Sequence, residues 1–138
     1  WDFGTMSMMY KGMLNKDKDR IAKLYRLKDG KHLQTHLHAF NFIRNVSAHH
    51  SRLWNRDITF KASLKGLSDA EWKSLSINKP FVYFCLMKRM LDVICPRTEW
   101  GGRLLTLLDE FPDVVNKAVS LRDMGLENDP RNWRLWQR

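Results

Sequence analysis

Asn78–Pro96 reads NKPFVYFCLMKRMLDVICP, and it sets the architecture. Phe81, Phe84, Cys85, Met87, Leu91, Ile94 and Cys95 almost encircle a helix, and Lys88 interrupts them. A helix that is apolar nearly all round has to be covered on every side, so this one is expected at the centre of the core. Asn78 is expected to cap it and Pro96 to stop it. Pro80 suits its first turn, where a missing N–H costs no hydrogen bond. Downstream, Thr98 and Glu99 open another helix through Leu104, Leu105, Leu107, Leu108 and Phe111, which Pro112 breaks. Val114 to Met124 reads as a last helix ending at Gly125. The tail from Asn128 to Arg138 sets Trp133 and Trp136 among Arg131, Arg134 and Arg138. Aromatics in such a tail usually pack against a bundle, although they could also stack on bases.

Upstream, Asp57 to Asn78 is the least regular stretch. Within it, Ser68-Asp69-Ala70-Glu71 has the form of a capping box that starts a short helix. A long helix is expected from about His32 to beyond His50. Before it, Asn15 can cap a helix through Leu27, with Ile21, Leu24 and Leu27 as its apolar stripe and Asp29-Gly30 as its stop. The first segment, Gly4 to Leu14, places Met6, Met9, Tyr10 and Met13 at helical spacing, which favours packing for these methionines and for Met8. No stretch of useful length alternates in the manner of a strand. The expected fold is all-α, a bundle of about five or six helices in one domain spanning residues 1–138.

The 138 residues carry a formal charge of +9 and a pI of about 9.8. That balance favours a polyanionic partner, either nucleic acid or an anionic membrane face. No apolar run approaches the roughly 20 residues of a membrane span, so no membrane partner is expected. No signal peptide is visible, since the N-terminal residues lack a basic stretch followed by an apolar one, and none is expected. Cys85 and Cys95 read as buried thiols of a reducing compartment. Lys16, Lys18, Arg20, Lys23 and Arg26, with Lys11 and Lys28 nearby, form either a solvated face or a sequence-independent phosphate contact.

The segment Arg44–Arg56, RNVSAHHSRLWNR, concentrates groups that could act on RNA. Arginine supplies a fixed charge for phosphate, and histidine moves protons near neutral pH. Residues four apart lie about 40° apart round a helix, so Asn45 and His49 share a face. Arg52 and Arg56 would extend that face if the helix persisted. Arg44 lies about 100° away but is long enough to reach round, and His50 points about 100° from His49. His49 could serve as general base or acid, Arg44 could neutralise the transition state, and Asn45 could orient either imidazole or phosphate. His50, Arg52, Asn55 and Arg56 are secondary candidates for catalysis or RNA contact. One histidine per face is short of the two groups that acid and base steps need. A two-fold dimer would supply both. A basic helix can carry the same spacing as a solvated face or a hydrogen-bonded junction.

RNVSAHHSRLWNR resembles the signature of the Abi-like (abortive-infection) family of bacterial phage-defence proteins, part of the HEPN superfamily of helical ribonucleases. That superfamily's arginine, polar residue and later histidine correspond here to Arg44, Asn45 and His49. Trp54 and Asn55 match the family's continuation. Phe3-Gly4-Thr5-Met6-Ser7 and Tyr10 resemble its upstream segment, while Met124-Gly125-Leu126 and the Trp133–Trp136 tail resemble its C-terminal end. The resemblance implies a HEPN-like bundle, a homodimer with a composite active site, and a bacterial cytoplasmic setting. It implies metal-independent cleavage leaving a 2′,3′-cyclic phosphate and a 5′-hydroxyl. Since the superfamily tolerates variable spacing, His50 remains open as the catalytic histidine. Family members are longer and position 1 is Trp, so the chain is expected to be the C-terminal part of a longer protein.

No cofactor and no metal are expected. His32 and His36 have the spacing of two ligands on one helix face, but no third ligand completes them. Two other function classes stay open. One is a non-catalytic module that binds RNA or an RNA antitoxin. The other is a protein-interaction domain of a toxin–antitoxin or defence complex, with the motif buried against a protein antitoxin. A metalloenzyme is a more distant third.

Overall fold

The computed structural model describes residues 2–114 and 118–137. Among them are six α-helices and no strand: α1 (Phe3–Gly12), α2 (Asn15–Leu24), α3 (Gly30–Ala48), α4 (Ala70–Ser74), α5 (Pro80–Ile94) and α6 (Trp100–Asp109). Three short 3₁₀ turns follow, at Leu121–Met124, Pro130–Asn132 and Arg134–Trp136. The molecule is an all-α bundle, as its periodicities predict.

Helix α5 lies at the centre. Phe81, Val82, Tyr83, Cys85, Leu86 and Met90 are buried on it. Its cap is Lys79 rather than Asn78, with Pro80 in the first turn. The tail closes over it. Trp136 stacks on Phe81 at 5.9 Å between ring centroids, and Trp133 meets Trp72 of α4 edge to face at 4.7 Å. Lys88 is buried with its ammonium on Asp92, an arrangement that neutralises it. Cys85 is buried, and that burial pushes its thiol pKa up; Cys95, expected to be buried, is exposed.

The N-terminal helices form a tight junction. Gly30 is not the stop of α2 but the first residue of α3, and Asp29 caps α3 by accepting the His32 N–H. A Cβ on Gly30 would lie 2.8 Å from the Lys18 backbone carbon, so only glycine lets α2 and α3 approach this closely. The Tyr10 hydroxyl lies 2.9 and 3.2 Å from the Lys18 and Gly30 carbonyl oxygens, and its one proton serves both. Burial, together with the charges of Asp19 and Asp29, raises the Tyr10 pKa to about 12. This contact turns Lys18 and Ala22 inward. Leu24, about 120° round from Lys18, is left exposed, contrary to the stripe read from sequence. On α1, Ser7 and Tyr10 are buried and Phe3 is half-buried, while Met6, Met8 and Met9, with Met13 just past the helix, face solvent instead of packing.

Two further sequence expectations are corrected. Asp69, not Ser68, stands at the cap of α4, and no side-chain cap bond forms there. Of the helix expected over Val114–Met124, the described residues form a 3₁₀ turn at Leu121–Met124, with Gly125 at φ 91° ending it. Residues 115–117 of that stretch lie outside the described residues. Among the described residues, no helix is long and apolar enough to cross a membrane.

Candidate functional site

The motif sits where α3 ends. The helix was expected to continue past His50, but it stops at Ala48, with His49 as its cap. His50 takes φ 53°, its N–H donates to the Ser47 carbonyl, and the Ser51 N–H donates to the Val46 carbonyl. This is the Schellman closure, normally built on glycine. Histidine is among the few other residues that enter the left-handed region readily, so the chain can turn here without a glycine signal. The same closure ends α2, where Arg26 has φ 53°. Arg89 of α5 donates to the Tyr25 and Arg26 carbonyls there, capping α2 from outside.

His49 keeps its place one turn from Asn45, since its N–H donates to the Asn45 carbonyl at 3.1 Å. Arg44, five residues before His49, lies about 140° from it round the helix. Its reach compensates in part: the guanidinium donates to Asn45 Oδ1 at 3.0 Å. Arg44, His49 and His50 are exposed and Asn45 is half-buried. The motif thus places an Arg44–Asn45 side-chain pair near the end of α3, with His49 one turn beyond Asn45 at the helix cap. Arg44 also borders an apolar groove of about 400 Å³ formed by Phe3, Phe40, Met87 and Trp100. Asp2 lies close enough to feel Arg44. Its carboxyl is held below the ordinary range mainly by hydrogen bonds from Thr5, with the Arg44 charge contributing.

Because α3 stops, Arg52 and Arg56 do not extend the Asn45 face as helical residues. Arg52 is exposed in the loop. Arg56 folds back so that its guanidinium lies 5.9 Å from the Phe42 ring centroid. Asn55 is half-buried, and its carbonyl accepts from Lys79, which also pairs with Asp57 at 2.7 Å. Trp54 donates to the Ser120 carbonyl at 3.1 Å and packs on Phe111, tying the loop to the C-terminal half.

The basic residues of α2 divide. Lys16, Arg20, Lys23 and Arg26 are exposed and can meet phosphate. Lys18 is 9% exposed with its ammonium turned to the Lys11 carbonyl, so it is a structural residue. His32 and His36 each have a ring nitrogen committed within the fold. His32 Nδ1 pairs with Asp29 at 2.7 Å, and His36 Nε2 donates to the Ser63 carbonyl at 2.8 Å. Among the described residues, no group of three or more His, Cys, Asp or Glu is placed to hold a metal ion.

The sequence reading passed over a second feature of α3. Gln34, His38, Asn41, Phe42, Asn45 and His49 fall within about 100° of one another round the helix, opposite its buried face. His38 meets Phe60 edge to face at 4.3 Å, and Phe42 meets the same ring at 5.3 Å. The helical period alone would have shown the α3 part of this stripe. Phe60 was hidden, because Ile58, Phe60 and Ala62 alternate as though on one buried face.

Residues 1–55 match the family model described as Abi-like protein. The matched stretch takes in α1, α2, α3 and the motif as far as Asn55, which is less than half of the chain. No curated protein and no solved structure matches the chain.

Proposed function

We propose that this chain is a metal-independent endoribonuclease of the HEPN type, an Abi-like effector of abortive infection in bacterial phage defence. The observation that carries this reading is the Arg44–Asn45 pair with His49 one turn beyond it, exposed at the end of α3. It lies within the stretch that is similar to the Abi-like family.

The chemistry needs only groups that the chain owns. The ribose 2′-oxygen attacks phosphorus while the 5′-oxygen leaves. A base takes the 2′-hydroxyl proton and an acid returns one to the 5′-oxygen. The products are a 2′,3′-cyclic phosphate and a 5′-hydroxyl, with no water consumed. His49 serves in one proton transfer. Arg44 neutralises charge growing on the equatorial phosphate oxygens, and Asn45 holds the guanidinium in place through its 3.0 Å hydrogen bond. The second proton-transfer group is His49 of a partner copy in a two-fold homodimer. Each copy carries one imidazole within a turn of Asn45 on that face, since His38 lies two turns back against Phe60, and closed symmetry places two such faces together.

The test is incubation of the purified protein with cellular RNA in excess EDTA, beside His49→Ala. Cutting by the wild type with cyclic-phosphate ends is expected, and His49→Ala should cut at least about a hundred-fold more slowly. Equal cutting by both would remove the assignment. The lone imidazole within a turn of Asn45 also favours a second reading, a non-catalytic module that binds RNA or an antitoxin. Retained RNA binding without cutting by either protein would select it.

A further inference from the structure

We infer that the outer face of α3 carries a binding groove for single-stranded RNA, in which Phe60 is a base-stacking platform upstream of the Asn45–His49 end. This rests on the ribonuclease reading and specifies the form of substrate that the site takes.

A groove of about 410 Å³ runs between α1, α3 and the segment that carries Phe60. Lys11, Gln34, His38, Thr59, Phe60 and Lys61 line it, and no carboxylate is among its lining residues. Two lysines, amide and hydroxyl groups and an open aromatic ring form the chemistry that holds an unpaired strand. Cations track the phosphates and a ring face takes a base. A duplex hides its base faces and would leave the ring without a partner.

The exposure of Phe60 is built into the fold. It is 43% exposed between Ile58 at 1% and Ala62 at 3%. Its flanks are pinned by the Ile58 N–H on the Asn78 carbonyl and the Ser63 N–H on Thr35 Oγ1. The His36 imidazole adds a bond to the Ser63 carbonyl. The ring is thereby held at the surface beside the groove's two lysines, where a base can reach it.

Side-chain contacts lead from the groove towards the candidate site. Phe42 links Phe60 to Arg56, whose guanidinium lies over the Phe42 ring. Along α3, His38 to His49 spans eleven residues, or about 16 Å at the helical rise. A strand stacked at Phe60 can therefore run down the His38–Phe42–Asn45 stripe and present a phosphate at His49.

The test is fluorescence anisotropy of the full chain carrying His49→Ala, so that cutting does not remove the probe. The probes are labelled oligouridylate and an RNA duplex of equal length, both in EDTA. The single strand is expected to bind more tightly. Adding Phe60→Ala should weaken single-strand binding about ten-fold and leave duplex binding unchanged, while Phe60→Tyr restores it. Lys11→Ala with Lys61→Ala should reduce the salt slope of single-strand binding by about 1.4. If the Phe60→Ala protein binds the single strand as its parent does, or the parent prefers duplex, the groove is overturned and the ribonuclease reading stands. If the parent binds neither RNA, both fall, and Phe60 is left as a contact for a protein.

Discussion

A buried histidine that cannot take a proton makes stability depend on pH, and His36 is in that position. It is 1% exposed and its Nε2–H is held by the Ser63 carbonyl. Burial lowers its pKa from 6.5 to about 4, the Ser63 bond opposes the shift, and the charges of His32 and Arg89 add to it. Above pH 6.5 neither the folded nor the unfolded chain protonates this residue, and it confers no pH dependence. As pH falls from 6.5 towards 4, only the unfolded chain gains the proton, so stability drops across that window. The loss reaches about 3 kcal/mol at its lower end. Urea unfolding at neutral and mildly acid pH should show this slope in the wild type and lose it in His36→Gln. An equal slope in both would remove His36 as its source. His50 supplies a second prediction. Relieving its left-handed strain with His50→Gly should stabilise the fold by roughly 0.5–1 kcal/mol in the same unfolding measurement. If that variant still cuts RNA, catalysis belongs to His49. Single residues were also where sequence was least legible. Lys18 reads as a solvated cation beside Lys16 and Arg20, and nothing in its neighbours announces that Gly30 lies against it.

Elements were legible where a physical signal was local. Helix α5 was predicted from its near-continuous apolar surface, and the packing of the tail from its tryptophans. The end of α3 was missed because its stop uses His50, and a histidine carries no sign of a left-handed backbone. The Asp29-Gly30 pair misled in the opposite direction. It has the composition of a helix stop, yet Asp29 caps the following helix and Gly30 is needed for close approach rather than for positive φ. That distinction is testable. Gly30→Ala should destabilise the protein by about 2 kcal/mol or more, since a Cβ would press on the Lys18 backbone, which cannot yield without separating α2 from α3. Gly102→Ala in α6 is the control, because a Cβ there meets nothing within 4 Å. Replacing glycine in an open helical position should stabilise by up to about 1 kcal/mol. Thermal unfolding of the two variants should therefore shift in opposite directions. A neutral Gly30→Ala would mean that α2 and α3 are not packed this closely.

At the scale of the whole molecule, the stretch similar to the Abi-like family does not close on itself. His36 and Thr35 of α3 bond to Ser63, Trp54 bonds to Ser120, and Arg89 of α5 caps α2. The candidate site is therefore held in shape by residues far from it in sequence. No local pattern could reveal this, since each of these bonds joins side chains to distant backbone. The tail completes the arrangement, with Trp133 against Trp72 and Trp136 against Phe81 and Trp100. Loss of one such tryptophan should cost about 3–5 kcal/mol, a large share of the 5–15 kcal/mol that usually separates folded from unfolded chains. Truncation after Glu127 removes both. It should abolish cooperative thermal unfolding and, with it, ordered binding at the α3 end, although no residue of the motif is altered. A chain ending at Glu127 that unfolds cooperatively near the wild-type temperature would show that the tail lies on the bundle without supporting it. Trp133→Phe, which keeps an aromatic ring against Trp72, is expected to fall between the two and to retain a single cooperative transition.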